Sequence, residues 1–71
     1  HYITKREINK GSYIETIIRI TGKPNKKDQI LFGPQSRHDC IEWVLENEYS
    51  YDLYYLEDNL YTLELLEQLY R

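Results

Sequence analysis

Residues 53–70 read LYYLEDNLYTLELLEQLY, and the reading of this stretch decides the architecture of the chain. Leucines at 53, 56, 60 and 63 recur at the three- and four-residue spacing of one helix face, so the spacing predicts a single helix over 53–70. On a helical wheel Leu53, Leu60, Leu63 and Tyr70 fall within roughly 60° of Leu56, with Glu67 breaking the stripe. Tyr54, Tyr61 and Leu65 fall on the opposite side, roughly 140–180° away. Tyr55, Leu66 and Leu69 fill one flank, and Glu57, Asp58, Glu64 and Gln68 the other.

A helix apolar on two opposite sides needs two covers, or it leaves a sticky patch. A short chain can supply one from its other elements. The second points to a partner, and the simplest partner is a second copy. The predicted interface is therefore Tyr54, Tyr61, Leu65 and Leu69. The leucines span two heptads, short of the three or four of a coiled coil, so a short helix–helix seam is expected.

Upstream, Ser36-Arg37-His38-Asp39 has the form of a capping box with Asp in place of Glu, followed by CIEWVLE. This predicts a helix from Ser36 to about residues 47–49, with Ile41, Val44 and Leu45 on its buried face. The segment 48–52 reads as the linker between the two helices. Trp43, the only tryptophan, falls away from that buried face. It either lies under the second helix or serves as an aromatic anchor at the interface.

The first half reads as sheet. Residues 12–22, SYIETIIRITG, place Ile14, Thr16, Ile18 and Ile20 on one face, and Tyr13, Glu15, Ile17, Arg19 and Thr21 on the other. The segment GKPNKKD over 22–28 is a turn. Residues 29–33, QILFG, form a second strand that Pro34 ends and that makes an antiparallel hairpin with the first, and residues 2–8, YITKREI, can pair as a third across the turn 9–11. The expected fold is α+β: a small antiparallel two- or three-stranded sheet (β-hairpin) followed by two α-helices, in one domain over 1–71. Within it, 1–35 is a basic hairpin region and 36–71 an acidic two-helix region.

The charge is divided in the same way. The chain has 71 residues and a formal net charge of −3. Residues 1–37 hold eight Lys and Arg against three acids, and residues 38–71 hold nine acids against one Arg. Arg19, Lys23, Lys26, Lys27 and Arg37, interleaved with tyrosines, are the candidates for contact with a nucleic-acid backbone. The acidic overall balance argues against that use and favours basic and acidic faces that complement each other within or between subunits. The acidic helices also admit a third reading, a nucleic-acid mimic that blocks a nucleic-acid-binding protein.

No catalytic, cofactor or metal motif emerges. Ser36, His38, Asp39 and Cys40 include the residue types of a catalytic set, but on a helix His38 and Cys40 diverge by about 200°. A core this small is marginal without support. A single cysteine and two histidines supply neither an internal disulfide nor a closed zinc site, which favours a reducing, cytoplasmic setting. No apolar run is long enough to span a bilayer, and charges at Lys5, Arg6, Glu7 and Lys10 interrupt any signal-like segment. The absence of Ala beside many Ile, Tyr, Asn and Lys fits AT-rich coding, as in many bacterial and phage genomes. The expectation is a small non-catalytic protein–protein interaction module, an adaptor or inhibitor, homodimeric through its C-terminal helix.

Overall fold

A computed structural model describes residues 1–47 and 53–70; the predicted linker 48–52 lies outside the described residues. Strands β1 (Tyr2–Asn9), β2 (Ile14–Thr21) and β3 (Gln29–Phe32) are followed by α1 (Arg37–Glu46). Next come β4 (Leu53–Leu56), β5 (Asn59–Thr62) and α2 (Leu63–Tyr70). The architecture is α+β, with a five-stranded mixed sheet of order β3-β1-β2-β4-β5 and two helices.

The first three strands fall where the sequence places them, but the expected hairpin between residues 12–22 and 29–33 is corrected: β2 and β3 do not pair, because β1 lies between them. β1 pairs antiparallel with β2 along its whole length, from Tyr2 opposite Thr21 to Asn9 opposite Ile14. β3 pairs with the other edge of β1, with an irregularity between Ile3 and Thr4. Ser36 caps α1 as its sequence predicts: the Ser36 hydroxyl accepts from the Asp39 N–H at 3.0 Å.

The second helix predicted over 53–70 is corrected. Only Leu63–Tyr70 is helical; residues 53–62 form the hairpin β4–β5. Leu56 and Asn59 pair across the two-residue turn Glu57-Asp58, and Glu57 takes a left-handed φ of 56°. Such turns match the twist of the strands they join. The Glu57 N–H donates to the Ile20 carbonyl at 2.8 Å, and its carboxylate engages the His1 ring, which anchors a conformation unusual for a residue with a Cβ. At the far end the Thr62 hydroxyl accepts from the Leu65 N–H at 3.3 Å, converting strand to helix.

β4 lies parallel to β2, with Ile18, Arg19 and Ile20 opposite Tyr54, Tyr55 and Leu56. Parallel neighbours require a crossover, and α1 provides it, carrying the chain from the β3 edge over β1 and β2. Cross-strand partners share a face. Ile3, Ile18, Ile20, Tyr54 and Leu56 therefore all point to the helix side, where they pack with Cys40, Ile41, Val44 and Leu66. Phe32 stacks on Trp43 at 5.3 Å between ring centroids.

Candidate functional site

The same register defines the opposite face. Ile30, Thr4, Arg19, Tyr55 and Leu60 lie side by side in one row across all five strands. Arg6 pairs with Ile17, and Leu53 with Thr62, in the next row. Both helices pack on the other side, and among the described residues no helix covers this face, although Thr4 in the middle of the row is buried beneath its neighbouring side chains. Ile30 is 50%, Leu53 49% and Leu60 50% exposed. Solvated sheet faces ordinarily alternate to polar residues; here the face presents a ridge of Ile17, Leu53, Tyr55 and Leu60.

Two arginines are embedded in it. The Arg19 guanidinium carbon lies 5.3 Å from the centre of the Tyr55 ring, a cation–π contact that holds the side chain along the sheet. Arg6 donates from Nε to Asp28 Oδ1 at 2.5 Å. Arg6 Nη2 and Arg19 Nε are shielded from solvent and find no acceptor among the described residues, which is exceptional for buried polar atoms. Sequence reasoning placed Ile17 and Arg19 on one strand face but did not collect Arg6, Ile30, Tyr55 and Leu60 beside them. That grouping depends on strand order, which period-two alternation within one strand does not encode.

The sequence-predicted dimer residues are dispersed. Tyr54 is 0% exposed, a central core residue of β4 rather than a surface one, so it cannot face a partner. Tyr61 sits opposite Tyr54 on the helix side and packs against the core. Leu65 and Leu69 are exposed on α2. Trp43 is half-buried, and Phe32 of β3 stacks on it.

The basic candidates do not form one patch. Lys23, Lys26 and Lys27 are exposed on the loop between β2 and β3, which is braced by Asn25 and Asp28. Arg19 and Lys23 share a shallow cavity with Thr21, Gly22, Glu57 and Asp58, where two carboxylates oppose the approach of a phosphate. Arg37 is on the helix side, in a cleft with His38, Ile41 and Leu69.

The helix start carries no assembled nucleophile. Burial pushes the Cys40 thiol above its ordinary pKa, and Asp39 adds to this while the N-terminal ammonium opposes it. His38 stacks on Tyr70 at 4.7 Å, and its ligand atom comes within 4.8 Å of those of Asp39 and Glu42. This trio sits on the solvated first turns of α1, where acids are favoured by the helix dipole alone. Among the described residues no helix is long and apolar enough to cross a membrane. Comparison with protein-family models, curated proteins and solved structures finds no match to this chain.

Proposed function

We propose that this chain is a non-catalytic protein–protein interaction module that self-associates, with its uncovered sheet face in the interface. One observation carries the reading: half-exposed Ile30, Leu53 and Leu60 share a sheet face with Ile17 and Tyr55. An apolar ridge rimmed by polar groups marks an interaction surface, and covering it adds the core that a domain of this size lacks. The helix seam expected from the sequence contributes Leu65 and Leu69 only.

The test is the mass of the chain in solution. The wild type should exceed one chain, and Leu53→Lys combined with Leu60→Lys should reduce it to one. Both side chains are half exposed, so each substitution should change stability by only about 0.5 kcal/mol. A wild type that sediments as one chain at high concentration, or a double variant that still associates, refutes the reading.

The alternative, a nucleic-acid-binding module, draws support from Arg19, Lys23, Lys26 and Lys27, none of which forms an ion pair among the described residues. Against it stand Glu57 and Asp58 in the same cavity and the separate position of Arg37. It requires an oligonucleotide affinity that falls steeply with salt; negligible binding at low ionic strength eliminates it.

A further inference from the structure

The two sides of the molecule carry opposite charge that is only partly satisfied within the chain: Arg6 is paired with Asp28, and Glu42 is engaged by the Tyr70 hydroxyl. On the open face, Arg19 forms no ion pair among the described residues, although Glu57 and Asp58 line the same cavity. On the helix side, Asp39, Glu42 and Glu46 recur at three and four residues. They follow one side of α1, opposite the buried Cys40, Ile41 and Val44, with Glu42 partly buried and accepting from the Tyr70 hydroxyl. Among the described residues no cation pairs with any of the three. Their field reaches Tyr70: its phenol is raised above its ordinary pKa, first by desolvation and then by Glu42, Glu46 and Asp39. Beside this acidic line, Leu65 and Leu69 are exposed on α2.

From this juxtaposition we infer that the helix layer of a second copy covers the open sheet face, so that copies stack front to back. The inference rests on the self-association proposed above and adds which side of the second copy makes the contact. Pairing two open faces is the other symmetric choice, and its electrostatics are poor. It would bring Arg19 of both copies into one desolvated layer beside the Asp28-paired Arg6, with Glu57 and Asp58 near Arg19 but in no ion pair with it and Glu15 already engaged by Lys10. Uncompensated charge in such a layer opposes association. In the front-to-back contact the arginines meet Asp39, Glu42 and Glu46 of the neighbour, and Leu53 and Leu60 meet its Leu65 and Leu69. Such a contact joins two different patches, so it does not close at two copies.

Sedimentation of the full chain over a range of concentration and salt tests this. The wild-type mass should rise past two chains with concentration and fall as salt screens the contact. Arg19→Glu and Glu42→Arg should each sediment as one chain. Their equimolar mixture should associate again, because the first retains an intact helix layer, the second an intact sheet face, and the two reversed charges complement each other at the remaining contact. Leu60→Lys and Glu46→Arg replace these variants if circular dichroism shows either to be unfolded. A mixture of folded variants that stays at one chain overturns the stacking. A closed two-chain species, split by Leu60→Lys and untouched by Glu42→Arg, also overturns it while upholding self-association through the open face. A wild type of one chain at every concentration overturns both.

Discussion

Tyr54→Ala is expected to remove most of the stability of the fold. The ring is fully buried between Ile18 of β2 and Tyr61 of β5, beneath the helices. Truncating a buried aromatic residue costs about 3–5 kcal/mol in lost transfer energy and cavity formation. A 71-residue domain has roughly 4–11 kcal/mol in total, at about 0.05–0.15 kcal/mol per residue. The variant should therefore lose about a quarter of its stability at the least, and a domain at the lower limit would not fold. Urea unfolding followed by Trp43 fluorescence reads the change, because that ring rests on Phe32 in the folded state. Tyr54→Phe keeps the ring and should cost far less. The helix expected over 53–70 makes the opposite prediction, since it places Tyr54 outward, where truncation would weaken association and spare the monomer. A Tyr54→Ala protein within about 0.5 kcal/mol of wild type, the range of ordinary surface changes, would remove β4 from the core.

The contrast between the two halves shows what a one-dimensional pattern can hold. β1 to β3 and the Ser36 cap were legible because their signals are local: β-branched alternation, a Gly-Pro-Asn turn and a serine three residues before an acceptable capping partner. In 53–62 the local signals conflict. Leu53, Leu56, Leu60 and Leu63 satisfy a helical period, while Tyr54 and Leu56 alternate with Leu53 and Tyr55 as a half-buried strand requires. The turn that separates them is Glu57-Asp58, without the glycine that usually marks a hairpin. What resolves the conflict is nonlocal. β2 offers Ile18 to Ile20 as a parallel partner, and the hairpin buries Tyr54 and Leu56 there, whereas a helix would leave one apolar side bare. The surplus apolar surface seen on the wheel was genuine, but the chain disposes of much of it internally. Tyr54 and Leu56 enter the core, and Leu53, Tyr55 and Leu60 remain on the open face. The charge division survives in altered form. Arg6 and Arg19 lie on the opposite side of the fold from the acidic line of α1, although Arg37 shares the helix side and the basic residues are scattered over three surfaces.

Gly33→Ala is expected to have the second large effect, through the backbone alone. Gly33 follows β3 and holds a φ of +118°, which L side chains rarely adopt; such strain costs of order 1–3 kcal/mol. Space is short as well. A Cβ there would lie 2.7 Å from the His1 carbonyl oxygen and 2.9 Å from Tyr2 Cα, both backbone atoms that no rotamer change can move aside. The chain around them is tied down: the Gln35 N–H donates to that same His1 carbonyl at 2.9 Å, and the His1 ammonium donates to the Gln35 carbonyl at 2.7 Å. Relief would require pulling the start of β1 away from the β3–α1 connection, at the point where Ile3 pairs with Phe32. Overpacking of this kind adds typically 1–3 kcal/mol, for a total of roughly 2–6 kcal/mol with the strain above. Gly11→Ala separates the two contributions. Gly11 also has a positive φ, +93°, but a Cβ there meets nothing within 4 Å, so that variant should show the conformational strain without the collision. Equal losses at the two glycines, measured by urea unfolding, would mean that β1 can swing away from Gly33 at no cost. A larger loss at Gly33, together with disturbed amide signals of Tyr2, Ile3 and Gln35, would locate the second constraint that holds β1 against the sheet edge from which α1 departs.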